Sequence, residues 1–280
     1  MTVFLFILAV VTSAMVSIFM RASKKHVNNQ TTMLAFNYAM CTVLALLGTQ
    51  NTQLVPAHSG TPLTLGLGLI NGFFYLGGFV MLQWNIGKNG VALSATFMKL
   101  GVMVPTLMAV FLFGETPGAL QMIGIVMALA AIVLIQFEKG QSRATSGLGL
   151  LTLLFFGGMA DGMSKVYEVL GDGELKNHFL LYTFFMALVL CTALALCKKQ
   201  SITLPDVLCG LLIGIPNYFT SRFLLLSLDT IPAVVAYPCY SVGTIVLVTL
   251  AGAVFFREKL SRQQLTALAI ILAALVLLNL

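Results

Sequence analysis

The sequence predicts an all-α membrane protein of ten transmembrane helices, arranged as two inverted five-helix repeats. Three observations carry that prediction. Of the 280 residues, 59% are hydrophobic and only 9% are charged, where a soluble domain carries about a quarter charged. The apolar residues come in continuous runs and do not alternate with period two, which excludes a membrane β-barrel. Helices remain, because lipid offers no partner to unpaired backbone N–H and C=O groups. Finally, the chain resembles itself at a spacing close to half its length.

The runs predicted to span are residues 3–20, 32–48, 63–84, 91–113, 118–137, 147–168, 179–197, 206–228, 231–256 and 264–280. At roughly 20 residues a span, ten spans use about 200 residues and leave about 80 for loops and ends, too few for a soluble domain. The +6 net charge therefore reads as loop anchors facing a lipid bilayer, not as a footprint for nucleic acid. The first run has no basic residue before it and Arg21, Lys24 and Lys25 after it, the reverse of a signal peptide. It is expected to be a retained helix with its amino end outside.

Alternate connections test this orientation. The odd ones hold Arg21, Lys24, Lys25, Lys88, Lys139, Arg143, Lys198, Lys199, Arg257, Lys259 and Arg262, whereas the even ones and both ends hold only Lys176. The bias puts the odd connections in the cytoplasm and both termini outside. Lys99, Lys165 and Arg222 are left inside spans.

Sliding the chain by 143 residues pairs Tyr75 with Tyr218, Phe113 with Phe256, Glu115 with Glu258 and Gln121 with Gln264, and aligns Ala130–Leu134 with Ala273–Leu277. The predicted halves are residues 1–140 and 141–280. Five spans being odd, the second copy enters the membrane upside down. The turns agree: Gly114–Ala119 has no Lys or Arg, whereas its partner Arg257–Arg262 has three. Inverted repeats are an architecture of secondary transporters, which open alternately to either side of the membrane.

Pro105 ten residues before Glu115, then a polar turn and a helix rich in small residues beginning Gln121-Met-Ile-Gly124, with the turn repeated as Phe256-Arg-Glu258-Lys-Leu-Ser-Arg-Gln-Gln264, resembles the EamA-type half of the drug/metabolite transporter superfamily. The resemblance covers nearly the whole chain in helix number, half-length and turn motif. It implies a ten-helix transporter whose cavity is lined by spans 1, 3, 4, 6, 8 and 9, with spans 5 and 10 peripheral, as well as export of amino acids or related metabolites. One departure stands out: the position of Pro105 is Val248 in the second half, and Pro238 lies ten residues earlier, opposite Ala95.

A charge at mid-membrane costs about 2.5–3.5 kcal/mol on insertion scales, so each embedded cation needs a partner or water. Lys99 is the ninth residue of the fourth predicted span, with Thr96, Met103 and Thr106 at helical spacing on the same face. It either holds an anionic group of a substrate or pairs permanently with an Asp or Glu of another helix. Asp161 and Lys165 are four apart with the acid first, the favourable order for an intrahelical ion pair; alternatively Asp161 exchanges protons. Arg222, one turn after Tyr218 and close to Asn217, can clamp a carboxylate or phosphate bidentately. It can equally snorkel outward or bridge to Asp161 or Asp229. Tyr237, Ser241 and Thr244 form a hydroxyl stripe on the ninth span, and Asn71 and Tyr75 a shorter polar pair on the third. Such stripes line wet cavities or glue helices together, at about 0.6 kcal/mol each. Pro105, Pro216 and Pro238 are expected to interrupt the fourth, eighth and ninth spans, freeing carbonyls for gating.

Other classes find little support. Cys41, Cys191, Cys197, Cys209 and Cys239 read as small buried hydrophobes, and His26, His58 and His178 as single loop residues, so neither a disulfide, a metal site nor a cofactor is expected. The glycines Gly66, Gly68, Gly77 and Gly78 lie inside apolar runs, where they permit close packing and form no nucleotide loop. That leaves no ATPase, and no enzyme is expected. The reading is a secondary transporter, exporter or exchanger, of a small anionic or zwitterionic metabolite. Its rival is a multidrug exporter of lipophilic cations, against which Lys165 beside Asp161 argues. Spans 5 and 10 are lipid-facing or form a homodimer contact.

Overall fold

A computed structural model describes residues 2–49, 54–136, 146–255 and 261–280. These residues form eleven α-helices and one 3-10 turn, with no strand among them: α1 (Thr2–Ser23), α2 (Gln30–Leu47), α3 (Thr61–Asn89), α4 (Val91–Leu100), α5 (Met103–Phe111), α6 (Ala119–Gln136), α7 (Gly147–Leu170), α8 (Lys176–Cys197), α9 (Leu204–Ser227), α10 (Ala233–Phe255) and α11 (Arg262–Leu278). Helices α4 and α5 share the fourth span, so the eleven helices make ten spans. Eight segments, with 93–111 counted as one, are long and apolar enough to cross a membrane, and α6 and α11 are shorter apolar helices. The Glu258 turn, Lys139 and Arg143 lie outside the described residues.

Two departures from the expected boundaries have local causes. Helix α3 runs on to Asn89, past its apolar stretch, because its polar end is fully satisfied. The amide of Asn85 donates to Met81 O and Gly149 O, and that of Asn89 to Asn85 Oδ1 and Ser146 O, while Ser146 N–H returns to Asn89 Oδ1 at 2.9 Å. Gly90, at φ +82, then joins α3 directly to α4, a left-handed turn that glycine takes without strain. The fourth span, for its part, breaks at Gly101–Val102. Pro105 has no N–H to give to Gly101 O, four residues back. That carbonyl is met by Val104 N–H at 2.9 Å, and the chain tightens by a residue. Pro216 and Pro238, expected to interrupt their spans, sit inside α9 and α10, which continue through them. The residues four before them are Leu212 and Val234, where the fourth span has a glycine free to give way.

The chain divides into two compact units, one of residues 1–76 and 166–227, the other of residues 77–165 and 228–280. Each takes helices from both halves of the sequence, and the chain passes between units inside α3 and inside α7. In the first unit α2 packs on α8 and α9, and α1 on α9. Close approach depends on glycines one turn apart. A methyl on Gly72 would lie 2.6 Å from Thr183 O and 3.0 Å from Ala187 N of α8, and Gly210 and Gly214 of α9 are equally tight against α2 at Met33, Asn37 and Met40. The fully buried carboxylate of Asp206 has no need of a cation. It accepts from the N–H groups of Asn28 (2.8 Å) and Asn29 (3.2 Å) ahead of α2, and from the Thr203 hydroxyl at 2.7 Å.

In the second unit α6 pairs with α11 and α10 packs on α5. Gly124 makes the first contact possible, since a methyl there would meet Leu278 Cγ at 2.9 Å and Ala274 O at 3.1 Å. The start of α10 is held by Glu115, from the turn between α5 and α6. Its Oε1 accepts from Ala233 N–H at 3.1 Å and its Oε2 from Val234 N–H at 2.8 Å. An anion at the positive end of a helix is favourable, and Lys165 of α7 completes the junction, with Nζ 3.0 Å from Oε1. The side chains of Lys165 and Glu115 are only 9% and 16% exposed.

Two stability measurements follow from this packing. Gly72→Ala is expected to lower the Tm of the detergent-solubilised protein by forcing α3 away from the α8 backbone, an overpacking cost of about 1–3 kcal/mol. Gly66→Ala, which meets nothing within 4 Å, should leave Tm unchanged; equal Tm values for the two variants would refute the packing account. Lys165→Ala should destabilise by about 3 kcal/mol, because it strands a carboxylate in a largely buried place. Adding Glu115→Gln should recover part of that loss. A double variant as unstable as the sum of the singles would show that the pair is not coupled.

Candidate functional site

The polar groups expected to serve transport fall into two clusters, one in each unit. In the second unit Lys99 lies in the last turn of α4, two residues before the break, where the negative end of a helix favours a cation. It is half-buried and among the described residues makes neither a hydrogen bond nor an ion pair; the group it interacts with through space is the Asp161 carboxylate of α7. Thr96, one turn earlier, is buried. The break removes Thr106 from that stripe, and its hydroxyl is spent on Val102 O at 2.8 Å.

The i, i+4 pair expected between Asp161 and Lys165 is not formed. Lys165 turns to Glu115, whose two oxygens are already set by the α10 amides, and Asp161 is left facing Lys99. The stripe on α10 is buried. The Tyr237 hydroxyl donates to the backbone O of Asp161 at 2.9 Å, which makes it an interhelical tie. Ser241 is 7% exposed and Thr244 1%, and the Thr244 hydroxyl has no hydrogen-bond partner.

In the first unit the residues of α3 and α9 come together. The Tyr75 hydroxyl lies 3.1 Å from Ser221 Oγ, next to Arg222. Arg222 Nη1 donates to Tyr218 Oη at 2.8 Å, with Cζ 5.9 Å from the centre of that ring, and the guanidinium has no carboxylate partner among the described residues. Asn217 donates to Asn37 Oδ1 at 3.2 Å. Asn71 is 2% exposed; its amide donates to Thr183 Oγ1 at 3.4 Å, and its Oδ1 accepts nothing. The rings of Tyr38, Tyr75, Phe184 and Tyr218 pack edge to face or tilted in a continuous chain behind these groups, with centroids 5.8–6.4 Å apart.

Sequence reasoning missed several of the residues that shape these clusters. Glu115 enters the sequence reading through the repeat and the turn motif and not as a partner of Lys165, although a carboxylate retained at the repeat spacing is itself a signal. Asn37, Thr183 and Ser221 are single polar residues in apolar helices, and nothing in their spacing announces the partners they find. The histidines need two corrections. His178 is the third residue of α8 and is buried. His58, expected to stand alone, has Nε2 3.5 Å from Asp172 Oδ2 and lies near Glu174. Its Nδ1 accepts from Gly60 N–H at 3.1 Å, which places the ring proton on Nε2, toward Asp172. That geometry suits a hydrogen bond to a carboxylate and opposes ligation of a metal through Nε2. Among the cysteines, Cys41, Cys191 and Cys239 are buried, but Cys197, the last residue of α8, is exposed.

Comparison with known proteins places this arrangement. The family model described as the EamA-like transporter family matches the chain twice, over residues 1–137 and 145–280. An uncharacterized protein of Haemophilus influenzae is 24% identical over 269 residues, covering 91% of this chain and 90% of its own. A solved structure, described only as the crystal structure of a protein, shares the fold with a TM-score of 0.75 over 100% of this chain and 98% of its own, at 15% identity. Matched along both halves and built of ten apolar spans, the chain belongs to the EamA-like transporter family of the drug/metabolite superfamily, and it is a multi-pass membrane transporter of that type.

Proposed function

We propose that the protein is a secondary active transporter, exporter or exchanger, that carries a small polar anionic or zwitterionic metabolite such as an amino acid by alternating access. Its membrane is the cytoplasmic one, with both termini outside, as the distribution of Lys and Arg suggests. It carries out no catalytic reaction in this reading and draws on a gradient or on exchange.

One observation supports the substrate class above all. Of the three cations inside spans, Lys165 is neutralised by Glu115, Lys99 is met by Asp161 only through space and not at ion-pair distance, and Arg222 has no carboxylate at ion-pair distance among the described residues. A cation left unpaired in a membrane span is costly unless water or a ligand meets it. Each unit has its own substrate-binding cation in this reading: Arg222 in the first, with Asn71, Tyr75, Asn217 and Tyr218 as polar contacts, and Lys99 in the second, with Thr96, Ser241 and Thr244. Where transport is proton-linked, Asp161 is the carrier. Efflux of lipophilic cations would need a carboxylate without a cationic neighbour, and Asp161 interacts with Lys99. The exposed sides of α6 and α11, at Ile123, Val126, Leu272 and Val276, would face lipid or a second copy in a homodimer.

Proteoliposomes screened with labelled metabolites, with and without an imposed pH gradient, test the reading directly. Lys99→Ala and Arg222→Ala should each reduce transport about tenfold or more, the loss of a hydrogen bond to a charged group being about 1.5–3 kcal/mol, with membrane expression retained. Arg222→Lys should restore only part of it, since an ammonium lacks the planar fork. Full activity in either alanine variant would remove that residue from the site, and uptake confined to lipophilic cations would refute the substrate class.

A further inference from the structure

Helix α2 ends on a glycine whose backbone does not require one. Gly48 has φ −79 and ψ −12, an ordinary right-handed conformation open to any residue. What the position requires is space. A methyl on Gly48 would lie 2.7 Å from Tyr218 Oη and 2.9 Å from Arg222 Nη1, the two polar tips of the α9 cluster. The carbonyl of Gly48 accepts from the Asn177 amide, which ties this end of α2 to the first turn of α8. The guanidinium thus rests against the carbonyl end of α2, where a helix dipole favours a cation, and against the Tyr218 hydroxyl. Neither support is a carboxylate, so the charge is held in place without being neutralised, and among the described residues Tyr218 is the one hydrogen-bond acceptor the guanidinium meets.

We propose that Gly48 is a positioning residue for anion recognition: by lacking a Cβ it lets the Arg222 guanidinium lie between the end of α2 and Tyr218, with its free N–H fork directed to a carboxylate or phosphate oxygen. The proposal rests on the reading of Arg222 as a substrate-binding cation. It concerns side-chain placement and not helix packing, because the two atoms a methyl would meet within 3 Å are the tips of the Tyr218 and Arg222 side chains, and of these the Tyr218 ring is buried while the half-buried guanidinium can move. Helix packing would survive while the guanidinium moved. At Gly72, by contrast, the atoms in the way include α8 backbone.

Arginine-selective modification separates these effects without a known substrate. The purified full-length protein in detergent is treated with phenylglyoxal, and reaction at Arg222 is followed by peptide mass spectrometry in rising sodium acetate or inorganic phosphate, with chloride holding the ionic strength constant. In the unaltered protein one of the two anions should protect Arg222, and which one tells carboxylate from phosphate recognition. Gly48→Ala should raise the half-protecting concentration about tenfold or more, with Tm moving by less than about 3 °C. Gly66→Ala should change neither. An unchanged half-protecting concentration in Gly48→Ala would overturn the proposal, as would a Tm loss matching that of Gly72→Ala, which would make Gly48 a packing residue. Absence of protection in the unaltered protein would instead defeat the anion-binding reading of Arg222, and this proposal with it.

Discussion

Much of the second unit turns on one carboxylate. Glu115 sits in a short turn beyond the fourth span and meets two needs at once: the unpaired N–H groups at the start of α10 and the ammonium of Lys165 on α7. Each alone would be expensive in or near lipid. Joined through two oxygens, they satisfy one another and fix three elements to a common point. The same bond decides the chemistry elsewhere. With Lys165 occupied, Asp161 is not drawn along its own helix and is left to Lys99, and the embedded cations divide into one that is neutralised and two that are not.

The first unit reaches a similar end by other means. Asp206 is buried and anionic, yet backbone amides and a hydroxyl satisfy it. Arg222 is cationic, and a helix end and a phenol hold it. Both charges are stabilised by dipoles, and the difference lies in what remains. The oxygens of Asp206 are enclosed, whereas the guanidinium keeps donors to spare.

The two halves do not place their prolines and glycines alike. Matching spans of the two halves differ where proline and glycine fall: the fourth breaks at Gly101 ahead of Pro105, while the ninth runs unbroken through Pro238. The compact units also fail to follow the halves, because α3 and α7 each belong partly to both. Helices of opposite halves meet directly where a small residue lets their backbones approach, as α6 meets α11 through Gly124.

Composition and the length of the apolar runs were enough to establish a ten-span membrane protein, because lipid imposes the same demands on every residue of a span whatever its neighbours, and the match of the chain to itself at 143 residues revealed the repeat. The residues of both clusters were also visible, as polar groups in places where they are costly. Their partners were not. Asp161 and Lys165 are four apart and in the favourable order, yet Lys165 pairs with a turn fifty residues away in the chain. Nothing at Gly48 announces Arg222, and nothing at His58 announces Asp172. Local spacing reports what a side chain can reach along its own helix, while the partner it takes depends on which helices the fold brings alongside, and only the tertiary structure decides that.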